Sequence, residues 1–375
     1  MRILHTNMLR GWGGQSNRIL TEALGAHRAG HQVAFAIPDG SVLSAKAAAA
    51  GMTVWEGFRF KPPAQVWRFL PDLIRLRRHL ADWKPNLIHV HGSQDTWLVA
   101  VARALAPAGF PPVIRTKHNI FEWQTHAANK WLYRQCDAYV SISSYVDRQI
   151  DIYPGIGKKP RALVYSVPDL SAIDAATESI RRTFPQVAPG AFLWGSTGRL
   201  RSEKGFDVLL EAVALLRQDA ATPPFHLLIA GDGSDREILA AKGQSLGIGP
   251  ETLTFLGFRK DVPAVLRSLD GYVLASRAEG LGTAILEALA VGLPVVATRV
   301  GGIPDSVRHE ETGLLVESEN PRSIADGMRR IMQDAPLRSR LGQAAHRLIR
   351  EEFAEPRLVE KTLAFYAEVL ERHRG

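Results

Sequence analysis

Two glutamates, Glu279 and Glu287, flank a short turn that contains two glycines. The turn, at 280–283, runs directly into an apolar sequence with helical periodicity, so it predicts a loop that leads into a helix N-terminus. Free backbone N–H groups and the positive end of the helix dipole make such a place favourable for phosphate. Glu287 would lie about two turns down the helix, where a carboxylate can accept hydrogen bonds from vicinal hydroxyls. The alternative is an ordinary loop, helix and strand with a capping glutamate.

A cationic pair, Arg199 and Lys204, lies upstream between an apolar run and the helical sequence at 208–216. An arginine can bind a diphosphate through two parallel hydrogen bonds, and a lysine can neutralise it as a point charge. Both residues are therefore candidates for a phosphate site, although a lone Arg or Lys in a loop is more often simply solvated.

The chain opens with the pattern of a doubly wound nucleotide-binding domain. A strand at 2–6 leads into the glycine-rich loop 11–16, and a helix connects this loop to a second strand at 31–37. The loop and Asp39 after the second strand are similar to the sequence pattern of dinucleotide-binding sites, but Ser16 stands where that pattern has its third glycine. An NAD-linked oxidoreductase is therefore a minor alternative.

Histidines occur at the ends of two further predicted strands. His89 and His91 alternate along 86–91 and so point the same way, an arrangement that can bind a metal. No further Cys, His or carboxylate with convincing spacing follows, and the sequence therefore predicts no metal site. His118 follows the strand at 112–117, at the edge where open parallel sheets bind ligands, although a lone histidine is more often structural.

The chain of 375 residues, 46% hydrophobic and 22% charged, is long enough for the cores of two ordinary domains and has no compositional sign of disorder. Its single cysteine, Cys136, cannot form an internal disulfide, which is compatible with a reducing cytoplasm. No basic and apolar leader opens the sequence, and no apolar run reaches the roughly 18 residues of a membrane span. We therefore expect a globular cytoplasmic protein without a visible signal peptide.

Basic residues concentrate in the first half of the chain. Residues 1–166 contain 21 Lys and Arg against 10 Asp and Glu, a net charge of +11, whereas 167–375 contain 25 against 28, a net charge of −3. This asymmetry predicts an anionic partner for the first half. No zinc-finger spacing, RNA-recognition signature or basic tail accompanies the charge, so nucleic acid is not predicted. An anionic membrane surface is the better candidate.

The sequence 67–83 carries much of this charge on a predicted helix beyond Pro71. Leucines and arginines share that helix, and tryptophans flank it. These residues are Trp67, Leu73, Arg75, Leu76, Arg77, Arg78, Leu80 and Trp83. Such a surface is typical of helices that lie on anionic membranes, but a surface helix with solvated arginines is an equally good interpretation.

Taken together, the motifs resemble those of the retaining glycosyltransferases of family 4. The resemblance rests on the order of GRL at 198–200, EKG at 203–205, GDG at 231–233 and the pair Glu279 and Glu287, and it extends over nearly the whole chain. It implies an α/β fold of the GT-B type, in which two Rossmann-like, doubly wound parallel-sheet domains face each other across a cleft.

The resemblance also implies domain boundaries and residue roles. The boundaries are 1–167 for an N-terminal acceptor-binding domain, 168–190 for a polar linker, 191–355 for a C-terminal nucleotide-sugar-binding domain and 356–375 for a helix that crosses back to the first domain. Catalytic roles fall on His118, Arg199, Lys204 and Glu279. Donor-binding roles fall on Gly14, Gly231, Arg259, Leu281, Gly282, Thr283 and Glu287, and acceptor-side roles fall on Gly13, Gln15 and His91.

The implied donor is a nucleotide sugar, with UDP-sugars favoured and GDP- or ADP-sugars possible. The implied acceptor is a lipopolysaccharide or lipid-linked glycan at the inner face of the cytoplasmic membrane. Arg199 and Lys204 would balance the charge of the leaving diphosphate, and the sequence has no D-x-D pair, so neither a metal nor another cofactor is expected. No covalent nucleophile stands out, which favours a same-face reaction with retention. A non-catalytic nucleotide-sugar or glycan-binding protein and a transferase with a small soluble acceptor are the alternatives.

Two positions depart from the family pattern. Asn119 stands where the family often has Asp, and Ser166 lies in a segment that lacks the usual Asn-Gly after the last strand of the first domain. The second departure leaves the geometry of the predicted hinge open.

Overall fold

The computed structural model describes residues 1–106, 109–118, 120 and 125–374. The chain divides into two compact units. One comprises Met1–Ser166 and the C-terminal segment from Glu355, and the other comprises Val167–Ala354. Asn119, at which the sequence departs from the family pattern, lies outside the described residues.

The first unit is built on a parallel sheet of seven strands in the order β3-β2-β1-β4-β5-β6-β7. The strands are β1 Arg2–Thr6, β2 Gln32–Ala36, β3 Thr53–Trp55, β4 Leu87–Val90, β5 Val113–Lys117, β6 Ala138–Ser141 and β7 Arg161–Leu163. The helices between them are α1 Gly14–Arg28, α2 Val42–Ala49, α3 Val66–Trp83, α4 Ser93–Ala104, α5 Ala127–Arg134 and α6 Ser144–Asp151. Every residue of β4, β5 and β6 is buried, as expected of strands covered by helices on both faces.

The second unit contains a parallel sheet of six strands in the order β10-β9-β8-β11-β12-β13. These strands are β8 Phe192–Thr197, β9 Phe225–Ala230, β10 Leu253–Gly257, β11 Gly271–Leu274, β12 Val295–Thr298 and β13 Leu314–Val316. The helices are α7 Leu170–Ala175, α8 Phe206–Gln218, α9 Arg236–Ser245, α10 Val262–Arg267, α11 Thr283–Val291, α12 Ile303–Ser306, α13 Pro321–Gln333 and α14 Ala335–Glu352, with 3₁₀ turns at Arg181–Thr183 and Ser202–Lys204. The prediction of two Rossmann-like parallel sheets is therefore confirmed.

The segment 168–190, which the sequence presents as a linker, forms part of the second unit. Ile173 of α7 is buried, and the N–H of Ile180 donates to Ser268 Oγ at 2.9 Å. Arg181 forms a 2.7 Å ion pair with Asp270. The polar composition suggested a free connection, but these polar groups find partners on the body of the unit.

The last helix, α15 Glu355–Arg374, belongs to the first unit. It packs on α1, and its Tyr366 is fully buried, with a phenolic hydroxyl that donates to Glu22 of α1 at 2.6 Å. The first unit therefore depends on both ends of the chain.

Candidate functional site

The second unit has a cavity of about 460 Å³, of the size that small-molecule ligands occupy, at the carboxyl ends of β8 and β9 and the start of α11. Its lining residues are Thr197, Gly198, Arg199, Arg201, Ala230, Gly231, Asp232, Gly233, Ser234, Phe258, Arg259, Val262, Thr283, Ala284 and Glu287. The structure therefore brings five of the sequence-predicted residues to one place: Arg199, Gly231, Arg259, Thr283 and Glu287.

Glycines shape the floor and rim of this cavity. Gly231 has φ +155°, and a Cβ atom at this position would overlap the carbonyl oxygen of Gly198, so only glycine lets the two loops approach this closely. Gly282 has φ +79° in the left-handed region and forms the N-cap of α11 without any side-chain cap. The N–H groups of the first turn of α11 are thus left without a capping side chain beside the cavity, as an anion site requires.

Glu287 contributes an unusual carboxyl group to the cavity. It lies on α11, half-buried, and burial raises its pKa to about 7, with the nearby Asp169 carboxylate adding to the increase. At neutral pH this group is therefore poised between its protonated and ionised forms. Asp169 stands in the segment that the sequence presents as a linker, so its influence on Glu287 was not foreseen.

Lys204 and Glu279, both predicted as catalytic, form an ion pair of 2.5 Å. Ser276 Oγ donates to the same Glu279 oxygen, Oε1, at 2.9 Å, so two donors hold this carboxylate. Neither residue lines the cavity, but the Lys204 side chain runs alongside Gly198, with its Cε 3.8 Å from the Cβ position of that glycine. The pair therefore borders the cavity wall.

Two of the residues predicted to bind the donor do not form part of the cavity wall. Leu281 is buried and Gly282 caps α11, and neither lines the cavity. Arg259 does line it, but its guanidinium forms two hydrogen bonds with Asp261, of 2.8 and 2.6 Å. Phe258, the residue before Arg259, is 73% exposed and offers an aromatic face at the rim.

The first unit places its predicted residues around the ends of β1 and β4. Gly13 and Gly14 begin α1, and Gln15 donates through Nε2 to Asn7 Oδ1 at 3.3 Å and to the His91 carbonyl at 3.2 Å. Gln15 thus ties the glycine loop to the strand that carries His91. Asp95 accepts hydrogen bonds from Thr6 Oγ1 at 2.8 Å and from the His91 N–H at 2.9 Å, and it is fully buried.

His91 and His118 belong to a hydrogen-bonded row that also contains His5 of β1. His5 Nδ1 lies 3.0 Å from His91 Nε2, and His91 Nδ1 lies 3.1 Å from His118 Nε2. Burial lowers the pKa of His5 to about 3, and it lowers the pKa values of His91 and His118 well below the ordinary range. All three imidazoles are therefore neutral at physiological pH.

His89 lies beside this row in a second set of contacts. Its Nδ1 is 2.6 Å from the hydroxyl of Tyr366 and 3.0 Å from Glu22 Oε1, and its Nε2 is 2.6 Å from Thr116 Oγ1. Arg18, also fully buried, places Nη2 3.7 Å from Glu22 Oε2 and donates to the Val164 carbonyl. Sequence spacing missed Arg18, Glu22 and Tyr366 because they come from α1 and α15, which are far from β4 along the chain.

The absence of a third ligand near His89 and His91 in sequence was the reason for predicting no metal site. The structure brings in His5 from β1, and within the described ranges one nitrogen of each of the three imidazoles lies within 4.8 Å of the others. Most of these nitrogens already have hydrogen-bond partners, namely His118, Tyr366, Glu22, Thr116 and each other. Independence from a metal stays a prediction.

The fold is shared with solved structures. The crystal structure of Anabaena Alr3699/HepE in complex with UDP and glucose is similar to this chain with a TM-score of 0.83 and 19% identity, over 98% of this chain and 100% of that one. The two Rossmann-like sheets and this structural similarity identify the fold of the chain as GT-B.

Family models match both halves of the sequence. Residues 12–165 match the model described as Glycosyltransferase Family 4, and residues 183–348 match the model described as Glycosyl transferases group 1. The two matches together span most of the chain, which belongs to this family of glycosyltransferases and is an enzyme of that class.

Curated relatives of this chain act in different pathways. The glycogen synthase of Mycobacterium tuberculosis is 28% identical over 75% of this chain and 68% of its own length. The lipopolysaccharide core biosynthesis glycosyltransferase LpsE of Rhizobium meliloti is 34% identical over 46% of this chain and 48% of its own. The names of these two relatives thus refer to different products.

Proposed function

We propose that the protein transfers a sugar, with retention of anomeric configuration, from a nucleotide sugar to a hydroxyl group of a lipopolysaccharide or lipid-linked glycan. The observation that carries the donor part is the cavity of the second unit, where Arg199, the start of α11 and Glu287 meet. This arrangement offers cationic and N–H groups for a diphosphate and a carboxyl group for a ribose.

In this proposal the diphosphate lies between Arg199 and the N-terminus of α11. Negative charge grows on the diphosphate as the bond to the sugar breaks, so groups already fixed around it stabilise the transition state more than the ground state. Lys204 acts from the border of the cavity, held in place by its ion pair with Glu279. The Glu279 carboxylate, fixed by Lys204 and Ser276, is positioned to accept hydrogen bonds from hydroxyls of the transferred sugar.

The donor is proposed to be a UDP-sugar, with Glu287 on the ribose and Phe258 against the base. Support comes from the half-buried carboxyl at the inner side of the cavity and the exposed aromatic ring at its rim. The similar Anabaena structure contains UDP, which makes uridine the first base to test. No cofactor and no metal are included in the proposed reaction.

A membrane surface is the proposed location of the acceptor, on the cytoplasmic side. The exposed face of α3 carries an apolar row of Val66, Trp67, Leu70 and Ile74, and Trp67 is 90% exposed. A half-exposed apolar row on a helix is the feature by which peripheral proteins insert shallowly into the headgroup region. Among the described residues, no helix combines the length and apolarity that crossing a bilayer requires.

The charges of α3 are distributed differently from the sequence prediction. Arg77 and Arg78 are exposed, but Arg75 donates to the Gly57 carbonyl and lies over the ring of Phe58. The leucines first assigned to the membrane side pack inward, since Leu73 and Leu76 are buried. The proposed membrane surface is therefore the Trp67 row together with Arg77 and Arg78.

The test of this proposal is turnover. The protein is incubated with UDP-, GDP- or ADP-sugars and with lipid-linked or lipopolysaccharide acceptors, and the glycosylated product is identified by mass spectrometry and its anomeric configuration by NMR. Transfer from a UDP-sugar with retention supports the proposal. Tight binding of the donor without turnover on any acceptor class favours the non-catalytic alternative.

A further inference from the structure

The histidine row of the first unit runs from His118 through His91 to His5, whose Nε2 forms the far end. His5 is fully buried, and its Nε2 has no hydrogen-bond partner among the described residues. His118 is half-buried and uses Nε2 toward His91, and within the described ranges its Nδ1 has no hydrogen bond. The row therefore connects a buried end to a nitrogen that is left for a ligand.

The tautomers of three neutral imidazoles in such a row are coupled. Each neutral ring has one N–H donor and one bare acceptor nitrogen. All the hydrogen bonds of the row must therefore run in the same direction, from donor to acceptor. In one state His5 carries its proton on Nε2, and His91 and His118 also donate through Nε2. In the other state all three rings carry the proton on Nδ1. The two states present opposite groups at His118 Nδ1, a bare acceptor or a donor.

The charges around the row favour the first state. Glu22 Oε1 lies 3.0 Å from His89 Nδ1, and the His89 ring lies beside His5 and His91, with ring centroids 5.3 and 4.2 Å apart. The Glu22 carboxylate therefore lies beside the part of the row that contains His5, and it is also the charge that acts most strongly on His5. In the first state every N–H of the row points toward the His5 end, beside which the Glu22 carboxylate lies. An unpaired N–H at His5 Nε2 is stabilised in that field, while an unpaired lone pair there is repelled.

We propose that His5 and His91 are positioning residues that hold His118 in its Nε2–H tautomer, so that the bare Nδ1 accepts a hydrogen bond from a substrate hydroxyl. This inference rests on the proposed function for the presence of that hydroxyl, but not for the tautomer itself. His5 takes no part in bonds to substrate and acts only through His91. The role of Glu22 is to give the row its direction.

NMR on the full chain labelled with ¹⁵N-histidine measures the tautomer directly, because a protonated and a bare imidazole nitrogen resonate far apart. The resonances of His118 are assigned as those missing from His118→Asn. The expected result is a protonated Nε2 and a bare Nδ1 in the unmodified protein. A protonated Nδ1 overturns the inference, and the tautomer itself is measured on the unmodified protein, with His118→Asn used only for the assignment.

Glu22→Gln then tests the source of the direction, since it keeps the shape of the side chain and removes the charge. The preference of His118 for one tautomer is expected to be lost in Glu22→Gln and kept in His226→Asn, a matched control in a buried strand of the second unit. An unchanged His118 spectrum in folded Glu22→Gln contradicts the role of the carboxylate.

Kinetics separate positioning from mere structural support. In His5→Asn the amide oxygen can still accept from His91 Nε2, whereas His5→Phe cannot. We expect kcat to fall about tenfold in His5→Phe, with the donor KM unchanged, and to be largely restored in His5→Asn. Equal kcat in both variants contradicts the inference. Because the tautomer is measured without substrate, a missing transferase activity would count against the proposed function alone.

Discussion

The two units hold their polar groups in opposite ways. The cavity of the second unit is lined by loops and by the start of α11, and its charged groups are exposed or half-buried. The polar network of the first unit is buried: Glu22 pairs with both Arg18 and His89, and His5 hydrogen-bonds to His91. In our proposal one unit supplies groups that bind the donor, and the other supplies a histidine whose orientation is set by its buried neighbours.

The largest effect is expected at the cationic pair of the second unit. Arg199→Ala and Lys204→Ala are each expected to lower transfer by about 10- to 1000-fold, since each removes a positive charge that would stabilise the negative charge developing on the diphosphate. The measurement is kcat/KM with a verified donor and acceptor. Arg217→Ala, which removes a guanidinium paired with Glu251, is the matched control and should leave transfer unchanged. Normal rates in both test variants would remove the phosphate site from this cavity.

Removing one hydroxyl from the closed network is expected to affect stability more than catalysis. Tyr366→Phe deletes the donor to Glu22 and the partner of His89, both buried, at a cost of about 1–3 kcal/mol in the free energy of unfolding. Chemical denaturation measures this cost. Tyr145→Phe, on the half-exposed side of α6, is the control and should change stability by less than about 0.5 kcal/mol. If the two variants unfold at the same denaturant concentration, the network is not the rigid element described here.

Glu287→Gln is expected to weaken donor binding by roughly tenfold while changing kcat little, because ribose contacts are similar in the ground and transition states. Isothermal titration with the donor measures this affinity, and Glu237→Gln on the exposed side of α9 is the control. A variant that binds donor as tightly as the parent would place the ribose elsewhere.

The same carboxyl group predicts a pH dependence of donor binding. Its pKa of about 7 means that the ionised form, which accepts hydrogen bonds from both ribose hydroxyls, increases as pH rises from about 6 to about 8. Donor affinity should therefore rise with pH in the parent protein and lose this dependence in Glu287→Gln. A falling affinity over that range would show that the protonated form is the one that binds.

The smallest effect concerns the proposed membrane surface. Trp67→Glu with Leu70→Glu is expected to reduce cosedimentation with anionic vesicles several-fold, and Arg77→Glu with Arg78→Glu should reduce it mainly at low salt, since each basic residue contributes about 1 kcal/mol near an anionic surface. Ile152→Glu changes another highly exposed apolar residue of the first unit and is the control. Equal and negligible cosedimentation of the parent and all variants would contradict the proposed membrane surface and leave the transferase proposal intact.

Much of the second unit's site could be predicted because its residues are local in sequence. Turn glycines, a cation shortly after a strand and a glutamate on the following helix have recognisable spacing, and Arg199, Gly231, Thr283 and Glu287 all reach the cavity. The pairing of Lys204 with Glu279 could not be seen, because 75 residues separate them and a loop conformation brings them together. The position of Leu281 also escaped prediction, since an apolar residue in a turn can face a ligand or the core.

The first unit's network was largely invisible to sequence reasoning. His91 and His118 stood out because they follow strands, but His5, Glu22 and Tyr366 come from β1, α1 and α15, and only the sheet order makes them neighbours. The two parallel sheets themselves were predictable from alternating apolar runs and helical periods. The packing of the segment 168–190 could not be predicted, because the partners of its polar groups are distant in sequence.

The most direct measurement of the central claim is isothermal titration of the full chain with UDP, GDP and ADP, repeated with Arg199→Ala. We expect one UDP to bind per chain, more tightly than GDP or ADP, with the affinity for UDP falling at least about tenfold in Arg199→Ala because one charge-assisted contact to the diphosphate is lost. Binding of UDP that Arg199→Ala leaves unchanged, or no binding of any of the three nucleotides, would contradict the account.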